Sequence, residues 1–188
     1  TMIEPSTSVV SSYTQSNFNS FGVSCNGDND GWIDLTVNGG IGIHTYSWSN
    51  GETTADIDTI GAGTYSVTAT DENGCSTQDT VIITEPSALT SSTTQSNFNS
   101  FGVSCNGDTD GWIDLTVNGG VDNIAYTYSW SNGEPTADIN NIGVGTYSVI
   151  TIDANGCSTQ DTVIVTEADS ITSSFTTIDW NNFEIQCN

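Results

Sequence analysis

The sequence predicts an all-β chain: tandem immunoglobulin-like antiparallel β-sandwich repeats of about 80 residues, joined head to tail. Three observations carry this prediction. Residues 14–28 recur unchanged as 94–108, and 30–40 as 110–120, both at an offset of 80. Apolar residues alternate with polar ones at a period of two, and no stretch carries the three-and-four apolar spacing of a helix. Asn-Gly pairs at 38–39, 50–51 and 73–74 mark turns at which both residue types accept positive φ.

Each element of the first repeat follows from these signals. Ile33, Leu35 and Val37 alternate with Trp32, Asp34 and Thr36, which predicts a strand over 31–38 with its apolar side inward. Tyr65, Val67 and Ala69 alternate with Ser66, Thr68 and Thr70, predicting 64–71, and Asn73-Gly74 then turns the chain into 76–84. Strands at 7–14, 18–24, 44–49 and 54–59 complete a set of seven, and the second repeat copies it. Phe18 and Phe21, repeated as Phe98 and Phe101 and echoed by Trp180 and Phe183, fall on the second strand and suit core or module contact. Past residue 120 the offset becomes 82, so two extra residues sit in the loop around 122–125, where insertions cost little closure entropy. The expected division is 1–5 as the end of a preceding repeat, 6–86 and 87–168 as two sandwiches, and 169–188 as the first strands of a further repeat.

Charge narrows the function. There are 23 Asp and Glu, no Lys or Arg, and one histidine, His44. Phosphate clamps, lysine Schiff bases and nucleic-acid binding all need the missing cations, and an anionic membrane surface would repel the chain. The carboxylates are left to water or dissolved divalent ions. His44 becomes Tyr126 in the second repeat, which rules out a histidine role shared by both repeats.

The series Val-Ser-Cys-Asn-Gly-Asp-x-Asp-Gly, Tyr-Ser-Trp-Ser-Asn-Gly, Gly-Thr-Tyr-Ser-Val, Asn-Gly-Cys and Thr-Glu-Pro resembles the SprB-type repeats of large Bacteroidetes cell-surface gliding adhesins. The resemblance runs along essentially the whole chain. It implies an extracellular, surface-displayed repeat protein, exported by type IX secretion and engaged in adhesion and gliding motility. Trp32 and Trp112 depart from the pattern, for the family usually has a small polar residue after Asp-Gly.

Five cysteines, Cys25, Cys75, Cys105, Cys157 and Cys187, suit an oxidising compartment. Pairing within repeats joins 25 to 75 and 105 to 157. Pairing between repeats joins 75 to 105 and 157 to 187. If seven strands reverse at every connection, Cys25 and Cys75 share one pole, while Cys75 and Cys105 stand on the order of 35 Å apart, far beyond the about 7 Å a disulfide tolerates. The expected bonds are therefore Cys25–Cys75 and Cys105–Cys157, with Cys187 left over. On the same parity Trp48 and Trp130 would pack on these disulfides.

A candidate calcium loop follows each first cysteine of a repeat. Asn26, Asp28, Asp30 and the Trp32 carbonyl, with Asn106, Asp108, Asp110 and Trp112 in the second copy, place oxygens at alternate positions before a turn glycine. Four oxygens fall short of the six to eight that calcium takes. Glu52, Asp71 and Glu4 are candidates to complete the first site, and Glu134, Asp153 and Glu85 the second. Ordinary Asx turns would show the same sequence. Trp32 and Trp112, on the outer face, are candidates for sugar stacking or contact with a neighbouring repeat.

The expected function is a structural or adhesive stalk module, with calcium stiffening its junctions. Its partners are adjacent repeats of the same chain, surface polysaccharide or other copies in a fibre, with no nucleic acid and no membrane insertion. The alternative is a glycan-binding sandwich using Trp32 and Trp112. No catalytic set is recognisable, so no enzymatic activity is expected. Asp79-Thr80-Val81 and Asp161-Thr162-Val163 also resemble short O-glycosylation acceptors of Bacteroidetes surface proteins.

Overall fold

The computed structural model describes residues 8–121 and 126–176, which form two six-stranded modules, each with its own core. Module one comprises β1 (Val10–Gln15), β2 (Gly31–Asn38), β3 (Thr45–Trp48), β4 (Ile57–Ile60), β5 (Gly63–Thr70) and β6 (Ser76–Ile83). Module two repeats them as β7 (Ser87–Gln95), β8 (Gly111–Gly120), β9 (Thr127–Trp130), β10 (Ile139–Ile142), β11 (Gly145–Ile152) and β12 (Ser158–Val165). No helix occurs among the described residues, hence none able to cross a membrane.

All pairings are antiparallel, in sheets ordered β1-β2-β4 and β3-β5-β6, then β10-β8-β7 and β12-β11-β9. These neighbours are those of immunoglobulin strands A-B-E and C-F-G, without a counterpart of strand D. Alternation fixes the faces. Ile33 and Leu35 of β2 and Ile57 and Ile60 of β4 meet Trp48, Val67, Val81 and Ile83 of the opposite sheet, and all are buried. Burying such side chains contributes about 1.5–3 kcal/mol each before conformational entropy is counted. A tyrosine corner braces each module, with the Tyr65 hydroxyl donating to Gly61 O (3.0 Å) and Tyr147 to Gly143 O (3.1 Å).

Two expectations need correction. The segment 18–24 is not a strand crossing the sandwich. It is part of a compact loop, 16–30, that caps one end of the module, with only an isolated Phe18–Phe21 bridge and with Val23 buried as its anchor. Ser16 pins the loop: its buried hydroxyl donates to Gly22 O (2.5 Å) and accepts from Trp32 N (3.0 Å). Trp48 and Trp130 are core residues as expected, but no cysteine is among the buried residues of their clusters; their indole N–H groups donate to Thr54 O and Thr136 O, both at 2.9 Å.

Losing one crossing inverts the positions of everything that follows. The end marked by the Gly31–Ile60 and Gly63–Ile83 pairs carries the 16–30 loop and leads into module two. The end marked by Val10–Asn38 and Thr70–Ser76 carries the 71–75 hairpin turn and the 39–44 loop. His44 there braces its own loop through an Nε2 contact to Gly39 O (3.1 Å), and Tyr126 does the same in module two, its hydroxyl donating to Gly119 O (2.7 Å).

Candidate functional site

The site is the joint between the modules, built from a hairpin tip on module two and the capping loop of module one. The tip owes its shape to Asp153, a buried carboxylate. One oxygen accepts from Asn155 N and Cys157 N (2.9 Å each), and the other accepts from Val121 N (2.9 Å), which ties the tip to the neighbouring loop. Gly156 takes the positive φ (89°) that the turn requires. Module one carries the same tip, in which Asp71 accepts from Ile41 N (2.9 Å), Asn73 N (2.9 Å) and Cys75 N (2.8 Å). The backbone donor of Ile41, aided by those of Cys75, Asn73 and Gly74, holds the Asp71 pKa below its ordinary value against the opposing effect of burial.

The receiving loop is also held from within. Phe18 and Phe21 exchange backbone hydrogen bonds (2.7 and 3.1 Å) around Asn19 and Ser20, both at positive φ (49° and 81°). Non-glycine residues in that region cost of order 1–3 kcal/mol each, and the Asn17 carboxamide, accepting from Ser20 N (2.8 Å), offsets part of this. Further along, Ser24 N donates to Asp30 (3.0 Å) and the Ser24 hydroxyl to Asp28 (2.9 Å). Burial would raise the Asp30 pKa, yet the Ser24 side-chain and backbone hydrogen bonds outweigh it and the net shift is downward. In module two the Ser104 hydroxyl and N–H lower Asp110 likewise. Asn26 donates to Pro86 O (3.0 Å) and Gly27 N to the Glu85 carboxylate (2.7 Å), which fastens the intermodule linker to the loop.

Tip and loop meet in a covalent bond. Cys25 and Cys157 form a disulfide with Cα atoms 5.7 Å apart, spanning 132 residues of sequence. Beside it the Asn155 side chain enters the loop: its amide donates to Ser24 O (2.8 Å) and Phe18 O (3.3 Å), and its oxygen accepts from Asn19 Nδ2 (2.6 Å). Cys75 and Cys105 are free and exposed.

This corrects the expected pairs Cys25–Cys75 and Cys105–Cys157. With 18–24 folded as a cap, Cys25 lies at the end of module one that faces module two, and Cys75 lies at the opposite end. Head-to-tail stacking then brings a loop cysteine to the hairpin cysteine of the next module. Cys187, Glu4, Trp180 and Phe183 lie outside the described residues.

Most of the calcium candidates have hydrogen-bond partners within the protein. Asp28 and Asp30 face Ser24, as Asp108 and Asp110 face Ser104; Asn26 and Asn106 reach Pro86 O and Ala168 O; and the Trp32 and Trp112 carbonyls accept from Ser16 N and Ser96 N. Asp71 and Asp153 organise hairpins at the other end of their modules. Glu85 serves the loop of module one, not module two, where Glu167 takes its place on Gly107 N (2.7 Å). Glu52 and Glu134 are exposed on the 50–53 and 132–135 turns. Among the described residues no group of three or more His, Cys, Asp or Glu is disposed to hold a metal ion. Trp32 and Trp112 stand 40% and 39% exposed on the outer faces of the central strands β2 and β8.

Sequence reasoning missed Asn155 and Asn19 as contact residues and the organising role of Asp153. The Asn-Gly-Cys signature marked the hairpin as a turn but not as an insert, because only the strand count tells which end it occupies.

No curated protein matches the chain. The family model described as SprB repeat matches it at two places, residues 22–53 and 99–135. The matched stretches are equivalent: each starts in the capping loop, runs through the central strand and ends at the Asn-Gly turn after the core tryptophan. The SprB repeat model thus matches each of the two modules once, over the part that runs from the capping loop to the turn after the core tryptophan.

Proposed function

We propose that the chain is a load-bearing structural segment of a large cell-surface repeat protein of the adhesin kind. The observation that supports this reading best is the Cys25–Cys157 bond across the joint. A bond inside a module stabilises that module alone, whereas a bond between modules fixes how each is set on the next. It also removes the residues between the two cysteines from the path of a pulling force. Stiffness at the joint then comes from the disulfide and from Asn155, with no need of calcium. SprB repeats belong to surface proteins, and an outward-facing compartment suits both the disulfide and a net charge of −23, which opposes non-specific clumping.

Single-molecule extension between the two ends tests this. With the disulfide intact, the 132-residue separation stays locked; reduction should release one increment of about 440–475 Å, at roughly 3.3–3.6 Å per residue. Two increments of about 170 Å each, the lengths of two bonds closed within modules, would contradict the reading.

The exposure of Trp32 and Trp112 favours a second reading, in which the outer faces of β2 and β8 touch saccharide. Binding to a glycan array that disappears in the Trp32→Ala, Trp112→Ala double variant would establish it; equal signals from variant and parent would remove it.

A further inference from the structure

We propose that Cys105 and Cys75 are the two open halves of a second joint of the same kind, and that the capping loop of module two receives the 71–75 hairpin of a second copy of this chain, ending in a Cys105–Cys75 disulfide. This rests on the load-bearing reading above and names the partner of its two unpaired, exposed cysteines.

Both halves are already in the engaged conformation. In module two Phe98 and Phe101 exchange the same backbone bonds (2.7 and 3.1 Å), and Asn99 and Ser100 hold the same positive φ (51° and 80°). Ser104 makes the same contacts to Asp108 and Asp110 (2.8 and 3.1 Å), and the linker is fastened through Ala168 and Glu167. In the hairpin of module one the Asp71 hydrogen bonds reproduce those of Asp153. Docking would therefore require little reorganisation.

What differs is cover. Phe18, Phe21, Ser24 and Cys25, which sit under module two, are half-buried, whereas Phe98, Phe101, Ser104 and Cys105 are exposed. The hairpins mirror this, with Asn155 and Cys157 half-buried and Asn73 and Cys75 exposed. Beside Cys105 lies an apolar cleft that includes Ala168 and Ile171, the counterparts of Pro86 and Leu89 at the closed joint; Ile171 is fully exposed. A surface of this kind, covered in one copy by a hairpin and bare in the other, identifies its occupant by its own example. The recognising group is Asn73, which would donate to Ser104 O and Phe98 O and accept from Asn99.

The covalent step needs an oxidant, for which a small disulfide such as glutathione disulfide serves. The Cys105 thiolate attacks it, forming a mixed disulfide and releasing one glutathione thiolate. The Cys75 thiolate of the second copy then attacks the Cys105 sulfur and releases the other. The two protons lost by the cysteines end on two glutathione molecules, and one disulfide is exchanged for another.

The test is oxidation of the full chain with glutathione disulfide, followed by peptide mapping without reduction. We expect a ladder of head-to-tail oligomers in which Cys75–Cys105 links exceed the symmetric Cys75–Cys75 and Cys105–Cys105 links by about tenfold, as a specific seat raises local concentration. Asn73→Ala, at an exposed tip, should lower the yield of Cys75–Cys105 about fivefold or more through its lost hydrogen bonds while leaving the melting curve unchanged. A random mixture of the three links, or a yield indifferent to Asn73→Ala, overturns the proposal. The same map reports Cys25–Cys157: its presence with random outer links defeats this proposal alone, and its absence defeats the load-bearing reading as well.

Discussion

Replacing Cys25 by serine should destabilise module one far more than any hydrogen bond lost at the joint. While module two stays folded, the disulfide closes a loop in unfolded module one from Cys25 to the linker at Pro86, about 60 residues, and chain entropy gives about 4 kcal/mol for such a loop. A module of this size has about 4–12 kcal/mol in total, and about 4–8 °C of melting temperature goes with each kcal/mol. The first melting transition of Cys25→Ser should therefore fall by roughly 15–30 °C in a calorimetric scan of monomeric, non-reduced protein. Cys157→Ser should show the same loss, and the double variant no more than either single one, because all three remove one bond. Cys75→Ser and Cys105→Ser, at exposed free thiols, should melt like the parent. Losses of similar size in all four single variants would refute the reasoning, since they would mean two bonds closed within modules.

Thr151 carries a buried hydroxyl with no hydrogen-bond partner among the described residues, and the equivalent position of module one is Ala69. Thr151→Val keeps the shape and removes the unpaired group, so chemical denaturation should show a gain of about 1–2 kcal/mol in module two. Asp71 has a folded-state pKa below its ordinary 3.8, so its contribution is complete above that value and is lost as pH falls through the lower folded value. Below about pH 4 the parent should lose stability more steeply than Asp71→Asn, whose hairpin is already weakened at neutral pH; parallel melting-versus-pH curves would contradict this. With 23 acids and no Lys or Arg, charge effects at neutral pH are mainly repulsive, so sodium chloride should raise the melting temperature throughout. At fixed ionic strength calcium and chelator should give superimposable curves, and a calcium-specific rise would establish the metal reading of Asp28 and Asp30.

Much of the fold was legible because the alternation of residues 31–38, 64–70 and 76–83 has a single physical solution, a half-buried antiparallel sheet. The duplicated pattern also exposed the module unit. The failure came at 18–24, where Phe18, Val23 and the polar residues between them look like a short strand. Asn19 and Ser20 in fact adopt positive φ, and Ser16 and Asn17 close the turn through side-chain hydrogen bonds that leave little periodic trace. An Asn-Ser pair flanked by phenylalanines was the available sign of a turn. One miscounted strand exchanged the ends of the module, and with them the cysteine partners. The acidic loop carries two readings for a related reason: alternating Asn and Asp suit a cation or a self-bonded turn equally, and Ser24, which bonds both Asp28 and Asp30 in the structure, is not part of the motif.

Peptide mapping of the unreduced chain tests the central claim most directly, because only a joint locked between modules links these two sequences. A fragment containing Cys25 joined to one containing Cys157 is the predicted result. Fragments joining Cys25 to Cys75 and Cys105 to Cys157 would contradict it.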